Sequence, residues 1–257
     1  MCLLIVAWDA HPDYPLVFAG NRDEFHDRPT AAADWWTDAP AVLGGRDLRA
    51  GGSWLGITRS GRIAVVTNQP RLELPDGQRA SRGALVKDFL TSAASVDAHA
   101  AALAREAAKY AGFGLIVGDL DQMRYVGHEG RFGNIVHRGL QPGYCGLSNA
   151  SYGTDWPKIA YLKASFAELL EQNRVSEAAM FAVLENRRPQ SPRPYADPTA
   201  KMQATPFILG DQYGTRAATI IIVNRVGHCY FTERRYDAAG LVSGETRQSF
   251  TINPGGE

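Results

Sequence analysis

The sequence predicts an α+β protein in which helices pack on antiparallel sheet. Three observations lead to this prediction. Strand patterns are joined by tight turns, helical patterns follow each other in pairs, and the order along the chain is strands, helices, strands, helices, strands. A doubly wound or barrel fold would instead alternate strand and helix. Because no linker or repeat interrupts the 257 residues, we treat residues 1–257 as a single domain.

The first part of the chain contains strands and one long irregular segment. The apolar run from Leu3 to Trp8 is typical of a strand that is covered on both faces. A second strand, Leu16 to Ala19, leads into a polar stretch, and residues 26–52 are rich in Gly, Pro and Ala and are expected to be irregular. Trp54 to Thr58 and Arg62 to Thr67 are predicted to form a hairpin.

Paired helices and further strands follow. Ser81 and Ser95 are predicted N-caps, the second of a helix through Ala108, and later helices are expected from about Trp156 to Glu171 and from Ser176 to about Glu185. Residues 187–206 contain five prolines and predict a long binding loop or lid. The remaining predicted strands are Phe113 to Val117, Met123 to Val126, Asn134 to Val136, Tyr144 to Leu147, Ala217 to Asn224, Cys229 to Tyr236 and Thr246 to Ile252.

Composition and charge exclude several classes of protein. Lys plus Arg equal Asp plus Glu at 27 each, so no net field would draw the chain to nucleic acid. The hydrophobic share of 45% is too high for a disordered chain, and no run of apolar residues is long enough to span a membrane. We therefore expect a small-molecule substrate or ligand as the partner, with neither nucleic acid binding nor integral membrane association.

The cysteines and the first residues bear on the compartment. Cys2, Cys145 and Cys229 are far apart and lack CxxC spacing, which argues against a disulfide framework and a structural zinc site. The apolar start has no basic region before it and no small-residue cleavage site after it, so it does not resemble a signal peptide. We expect a cytoplasmic protein with no metal.

Cys2 is the strongest candidate for a catalytic nucleophile. Removal of the initiator Met, usual before a small residue, would leave a thiol and an α-amine on one carbon. A thiol has a pKa of about 8.5 and an α-amine of about 7.7–8.0, so near neutral pH the amine can accept the thiol proton. The alternative is an inert cysteine at the start of a core strand, because reduced cysteines are among the most buried residues.

The polar stretch Asn21-Arg22-Asp23-Glu24 follows the second predicted strand. Arg22 beside a thiol would favour the thiolate, and the Asp23 carboxylate could orient an α-amine. Adjacent strand residues point to opposite faces, so only one of these two side chains faces Cys2 if the strand continues through position 23. The alternative is a solvated turn with local ion pairs.

Asn68, Asn149 and Arg216 lie at the ends of predicted strands. An amide-cleaving thiolate needs donors directed at the developing oxyanion, and an Asn side chain can supply one. The alternatives are ordinary turn residues at Asn68 and Asn149 and a surface residue at Arg216.

These segments together resemble the NRDE-motif family, the transport and Golgi organisation family, over essentially the whole chain. The resemblance is carried by Cys2, Asn21-Arg22-Asp23-Glu24, Gly44-Gly45-Arg46-Asp47, Ala50-Gly51-Gly52-Ser53-Trp54-Leu55-Gly56, Thr67-Asn68, Ser81-Arg82-Gly83 and Gly214-Thr215-Arg216. It implies kinship with the N-terminal-nucleophile (Ntn) hydrolases and a four-layer αββα sandwich with two antiparallel sheets between helical layers.

The cysteine branch of that superfamily includes penicillin V acylases and bile salt hydrolases. Similarity to it implies a nucleophile at Cys2, the site Arg and Asp at Arg22 and Asp23, the two Asn at Asn68 and Asn149, and the late Arg at Arg216. In those acylases the Arg and Asp are usually separated, whereas here they are adjacent. The resemblance favours an enzyme that hydrolyses carbon–nitrogen bonds of linear amides without a cofactor, and a homodimer, because many Ntn hydrolases are oligomeric.

A second hypothesis belongs to a different class. Some members of the family have been proposed to handle haem or lipid, so the alternative is a non-enzymatic haem or lipid binding and trafficking protein on an Ntn scaffold. Haem would be the cofactor under this alternative alone, and covalent c-type attachment is excluded because the sequence has no CxxCH.

Overall fold

The computed structural model describes residues 2–69, 80–130, 132–191 and 194–253. Met1, whose removal the nucleophile hypothesis requires, lies outside the described residues, as does Pro192 of the proline-rich segment. The chain divides into two compact units. Unit 1 comprises Met1–Asp27, Pro142–Ser148 and Gly153–Ser249, and unit 2 comprises Arg28–Gln141, Asn149–Tyr152 and Phe250–Glu257. The single-domain assignment stays a prediction.

The described elements, in chain order, are β1 (Leu3–Trp8), β2 (Leu16–Phe25), β3 (Thr30–Trp36), β4 (Ala39–Asp47), β5 (Leu55–Thr58), β6 (Ile63–Asn68), α1 (Arg82–Leu90), α2 (Val96–Glu106), β7 (Phe113–Gly118), β8 (Met123–Glu129), β9 (Asn134–Gly139), β10 (Gly143–Ser148), α3 (Pro157–Glu171), α4 (Glu177–Leu184), α5 (Pro198–Ala204), β11 (Tyr213–Val223), β12 (His228–Tyr236) and β13 (Val242–Thr251). The strand pairs within both sheets are antiparallel. The predicted α+β class with two antiparallel sheets is therefore confirmed.

Unit 1 contains the sheet β10-β1-β2-β11-β12-β13, with β2 and β11 at its centre. Alternate residues of these strands, including Leu3, Ile5 and Ala19, pack against apolar residues of α3 and α4 such as Phe166 and Phe181. Each large side chain buried in this way stabilises the fold by roughly 1.5–3 kcal/mol. The amphipathic stripe of α3 thus fixes that helix on the strand pair that follows Cys2.

Unit 2 contains the sheet β3-β4-β5-β6-β7-β8-β9, against which α1 and α2 pack. The serine N-caps predicted for these helices are confirmed, because Ser81 Oγ accepts from Gly83 N–H at 3.2 Å and Ser95 Oγ from Ala98 N–H at 3.2 Å. Val86 and Phe89 are among the buried residues that join the helices to the sheet. The short hairpin β5–β6 brings Asn68 to the end of a central strand.

Two segments predicted to be irregular contain regular structure. Residues 26–52 include β3 and β4, and Gly44 allows β4 to approach β5 closely, since a Cβ there would lie 2.5 Å from the Leu55 carbonyl oxygen. A glycine at this position therefore allows the two strands to pack closely. The segment 187–206 includes α5, where Asp197 accepts from Ala200 N–H at 2.8 Å and Pro198 occupies the first helical turn, a favourable position for proline.

One observation concerns membranes. Within the part of the chain that the structure describes, no helix is both long enough and apolar enough for a membrane crossing.

Candidate active site

Cys2 immediately precedes β1, and the antiparallel pairing of β1 with β2 brings it to the polar motif of β2. Leu3 lies opposite Asn21. Because the strands are antiparallel, the residue before Leu3, Cys2, lies beside the residue after Asn21, Arg22. On the other side of β1, Ser148 Oγ donates a hydrogen bond of 2.5 Å to the Cys2 carbonyl oxygen. The Ser148 side chain of β10 therefore anchors the backbone of Cys2.

The strand β2 continues through Phe25, well beyond the predicted end at Ala19. Arg22 and Asp23 consequently point to opposite faces of the sheet. Both nevertheless act electrostatically on the thiol of Cys2, and the backbone N–H of Asp23 donates a hydrogen bond to that thiol. Both residues therefore lie near enough to the end of β1 for their charges to act on the Cys2 thiol, although their side chains leave β2 on opposite faces.

The first residue of the motif, Asn21, has a structural role. Its buried Nδ2 donates to the carbonyl oxygens of Leu184 at 2.9 Å and Pro206 at 3.0 Å. Leu184 ends α4, and a carbonyl at a helix C-terminus has no partner within the helix. Asn21 therefore ties the end of α4 and the segment before β11 to the site strand. The last residue, Glu24, lies 3.8 Å from the Arg22 guanidinium.

Asp23 is buried and held through its side chain and its backbone. Thr215 Oγ1 donates to Asp23 Oδ1 at 2.6 Å and itself accepts from Ile208 N–H at 2.9 Å, so the direction of the hydroxyl proton is fixed. Tyr213 Oη donates to the Asp23 carbonyl oxygen at 2.9 Å. At Gly214 a Cβ would lie 2.9 Å from the Ile208 carbonyl oxygen. The Gly-Thr pair of β11 thus serves to position one carboxylate.

Lys158 is a site residue that the sequence analysis missed. It lies in the first turn of α3, its side chain has 0% exposure, and its charge interacts with Asp23 and Cys2. The ring centroid of Trp156 is 5.7 Å from Nζ. The available sequence signal is a cation in the first turn of an apolar helix, where the helix dipole disfavours it.

Burial dominates the protonation of the three central groups. It raises the pKa of the Cys2 thiol and of the Asp23 carboxyl, and it lowers the pKa of the Lys158 ammonium. Arg22 acts in the opposite direction on Cys2, but burial outweighs it, so the expected preference for a thiolate is not what the environment produces. Because its pKa is raised, the partly buried Cys2 thiol needs a base when it attacks.

Asn68 and Asn149 lie together in unit 2. Asn149 Nδ2 donates to the Asn68 carbonyl oxygen at 2.5 Å, and Gln69 Nε2 donates to the Ala150 carbonyl oxygen. Further along, the buried carboxylate of Glu129 accepts from Tyr152 N–H at 3.1 Å and from Tyr125 Oη. Hydrogen bonds therefore hold the segment Asn149–Tyr152 at both ends. Glu129 supplies the acceptor at the Tyr152 end, and no sequence pattern indicated this residue.

Arg216 lies at the irregularity in the pairing of β11 with β2, between Thr215 and Ala217. Its Nη1 donates to the carbonyl oxygens of Phe25 at 2.9 Å and His26 at 3.1 Å. The structure therefore places this guanidinium on the backbone that follows the Asn-Arg-Asp-Glu motif, whereas Cys2, Arg22 and Asp23 are gathered at the strand end.

Two solved structures have a similar fold. The Caenorhabditis elegans orthologue of N-acylethanolamine-hydrolyzing acid amidase is 12% identical, with a TM-score of 0.52 over 86% of this chain and 92% of that one. A variant of the conjugated bile acid hydrolase from Clostridium perfringens is 11% identical, with a TM-score of 0.51 over 99% of this chain and 98% of that one. The fold is that of the Ntn hydrolases, which confirms the predicted fold type.

Sequence similarity then gives the family. The profile described as Transport and Golgi organisation 2 matches residues 1–238. The human Transport and Golgi organization protein 2 homolog is 36% identical over 280 residues, covering 98% of this chain and 99% of that protein. The chain belongs to the Transport and Golgi organisation 2 family, as the Asn-Arg-Asp-Glu motif and its companion segments predicted.

Proposed function

We propose that the protein is an Ntn-type amidohydrolase whose nucleophile is Cys2 after removal of Met1. The observation that carries the proposal is the cluster in unit 1, where the partly buried Cys2 lies at the end of β1 beside the buried Arg22 and Asp23 of β2, whose charges act on its thiol. A structural cysteine needs no such arrangement, since apolar packing alone satisfies it, as the buried Cys229 illustrates.

The proposed first half-reaction forms an acyl-enzyme. The Cys2 sulfur attacks the carbonyl carbon of a linear amide while the α-amine of the same residue takes the thiol proton. Asn68, with Asn149, donates to the oxyanion of the tetrahedral intermediate, an assignment that rests on the family resemblance. The carbon–nitrogen bond then breaks, and the leaving amine departs with the proton that the α-ammonium returns.

In the proposed second half-reaction, water hydrolyses the thioester. The α-amine takes a proton from the attacking water, the carbon–sulfur bond breaks, and the proton passes to the Cys2 sulfur. Overall, one amide and one water give one carboxylic acid and one amine. No oxidant, metal or cofactor enters this balance.

The remaining residues have supporting roles in the proposal. Asp23, fixed by Thr215, orients the α-amine through a charge-assisted hydrogen bond. Arg22 stabilises the developing thiolate, because its charge lowers the pKa of the thiol against the effect of burial. Arg216 holds the chain after β2, and its guanidinium is assigned to the thiolate or to a substrate carboxylate.

The substrate, compartment and assembly form part of the same proposal. The name of the nematode protein gives an N-acylethanolamine, which is an amide, as the compound it hydrolyses. Acylated amines are therefore the first substrates to screen. The protein is proposed to act in the cytoplasm, as a homodimer, on a small molecule and without nucleic acid.

The test compares hydrolysis of a panel of acyl amides by untagged wild-type protein and its cysteine variants, with the released amine measured by mass spectrometry. We expect the activity of Cys2→Ser to be more than about tenfold lower than that of the wild type, because a hydroxyl is a much poorer nucleophile at neutral pH. Cys145→Ser, which changes another cysteine of unit 1, should retain activity. A Cys2→Ser protein that keeps more than about a tenth of wild-type activity would count against the proposal.

A further inference from the structure

Gln69 is a buried polar residue that the proposed mechanism does not use. It directly follows β6 and has 6% exposure, although glutamine is usually found at the surface. Burying a side-chain amide is costly unless its polar atoms make hydrogen bonds. The hydrogen-bond partners of Gln69 therefore indicate what this residue does.

Two side-chain amides of unit 2 exchange hydrogen bonds with backbone carbonyls. Gln69 Nε2 donates to the Ala150 carbonyl oxygen, and Asn149 Nδ2 donates to the Asn68 carbonyl oxygen at 2.5 Å. The two bonds form a reciprocal amide pair, in which each segment supplies one donor side chain and one acceptor carbonyl across 81 residues of sequence. Because both donor residues are buried, the bonds form at a low local dielectric, where they are stronger than in water.

The backbone of Gln69 is anchored as well. Its N–H donates to the Gly112 carbonyl oxygen at 2.8 Å, and Arg82 Nη1 donates to the same oxygen at 3.3 Å. Gly112 lies directly before β7, the strand that pairs with β6. The end of β6 is therefore held twice, through the Gln69 backbone and through the Gln69 side chain.

The reciprocal amide pair does not engage the side chain of Asn68. Asn68 takes part only through its backbone carbonyl, and its side chain is partly buried. Among the described residues, none makes a hydrogen bond to the Asn68 side-chain amide. The pair thus holds Asn68 by its backbone and leaves its side-chain donor for another partner.

We propose that Gln69 is a positioning residue for the oxyanion donor Asn68: with Asn149 it fixes the end of β6, so that the Asn68 amide is in place before the oxyanion forms. This inference rests on the proposed function, which assigns Asn68 to the oxyanion. Donors stabilise a transition state most when they need no reorganisation as the charge develops. Loss of the Gln69 side-chain bond should therefore destabilise the tetrahedral intermediate without weakening the binding of the uncharged amide.

The test compares Gln69→Met with the wild type in three measurements on untagged protein. The first is the steady-state kinetics of an N-acylethanolamine from the substrate panel. The second is the affinity for the aldehyde with the same acyl chain. The Cys2 sulfur adds to the aldehyde carbon and the thiol proton passes to the aldehyde oxygen, which gives a tetrahedral hemithioacetal. The third is the rate of Cys2 alkylation by iodoacetamide, which forms no oxyanion.

The expected pattern separates positioning from stability. For Gln69→Met, kcat and the aldehyde affinity should each fall by about tenfold or more, because a misplaced donor loses its effect on the oxyanion. KM and the alkylation rate should stay within about twofold of the wild type, because neither depends on the oxyanion donor.

Thr58→Val is the matched control. Thr58 lies at the opposite end of the β5–β6 hairpin, where its Oγ1 accepts from Arg62 N–H at 3.0 Å and bonds to Ser60 Oγ at 2.9 Å. This variant should lower the midpoint of thermal unfolding, as Gln69→Met does, but leave kcat unchanged. Gln69→Asn is one methylene shorter and no longer reaches Ala150, so it should reproduce the kinetic loss and covers the case in which Gln69→Met does not fold.

A double-mutant cycle with Asn68→Ala, which keeps the backbone carbonyl, shows whether Gln69 acts through Asn68. In the Asn68→Ala background, Gln69→Met should lower kcat by less than about threefold. Folded Gln69→Met protein with unchanged kcat and aldehyde affinity would overturn the inference, and so would a loss of about tenfold that persists without the Asn68 side chain. A wild type that hydrolyses none of the acyl amides and does not bind the aldehyde at Cys2 would contradict the proposed function and, with it, this inference.

Discussion

Thr215 Oγ1 donates a 2.6 Å hydrogen bond to Asp23 Oδ1, joining two segments that are 192 residues apart in the sequence. The register of β11 and β2 places these residues directly opposite each other. The Gly-Thr-Arg segment of β11 and the Asn-Arg-Asp-Glu motif of β2 therefore form one structural feature. The contact explains why both segments accompany Cys2 in the resemblance that indicated the family.

Removing this hydroxyl should weaken the site and the fold together. Thr215→Val leaves Ile208 N–H without its side-chain acceptor and Asp23 without a donor, so we expect a loss of about 1–3 kcal/mol in the free energy of unfolding. The pKa of Asp23 should rise further, and Cys2 alkylation at pH 7 should slow. Urea titration and alkylation kinetics measure both effects. Thr219→Val, at another buried threonine of β11, is the control and should leave alkylation unchanged.

Asn21 should matter for stability rather than for thiol chemistry. Asn21→Ala removes both donors to Leu184 and Pro206 and leaves two buried carbonyls unsatisfied, which should cost about 2–4 kcal/mol of the free energy of unfolding. Chemical denaturation checks this value. Asn186→Ala also loses two hydrogen bonds, one donated to Tyr161 Oη and one accepted from Arg188 N–H, but the first is only partly buried and the second is exposed, so it should cost less. Equal costs for the two variants would contradict the structural role given to Asn21.

Glu129 should fix the segment that carries Asn149. Glu129→Leu leaves Tyr125 Oη and Tyr152 N–H without their acceptor, and we expect kcat for the amide substrate to fall while Cys2 alkylation stays unchanged. Glu129→Gln retains an acceptor oxygen and should behave much more like the wild type. Steady-state kinetics with an acyl amide distinguish the two variants. An unchanged kcat in folded Glu129→Leu protein would show that the anchoring of this segment is irrelevant to turnover.

Acid stability should depend in part on Asp38. Hydrogen bonds from Arg46 at 2.7 Å and Lys87 at 3.3 Å lower the pKa of Asp38 from 3.8 to about 2. A carboxyl whose pKa is lower in the folded state contributes stability above its unfolded pKa and loses it as the pH falls through its folded pKa. The stability difference between wild type and Asp38→Asn should therefore be constant above about pH 5 and shrink toward pH 2. Denaturation at several pH values measures it, and a difference that grows on acidification would contradict the assignment.

Sequence patterns identified most of the fold because the decisive signals are local. The apolar run of β1, the serine caps at Ser81 and Ser95, and the amphipathic stripe of α3 each depend on neighbouring residues. Residues 26–52 were assigned wrongly, because glycines such as Gly44 serve a close approach between strands that no local pattern reveals. Pro198, which indicated a loop, instead begins α5.

The site was only partly accessible from the sequence. The positions of Cys2, Arg22 and Asp23 at one strand end follow from a hairpin, whose register is local. Lys158 approaches them from a helix far along the chain, and its burial is a tertiary property. The balance that leaves the thiol protonated also arises from burial, and a sequence-based argument from Arg22 alone gives the opposite expectation.

The central claim is that Cys2 is an activated N-terminal nucleophile. The most direct measurement is the intact mass of untagged protein before and after brief alkylation at neutral pH, with peptide mapping of the modified cysteines. Loss of Met1 together with alkylation of Cys2 much faster than that of Cys145 and Cys229 is the predicted result. Burial raises the pKa of Cys229 to about 12, so it serves as an internal unreactive reference. Retention of Met1, or a Cys2 that reacts no faster than the other two cysteines, would contradict the claim.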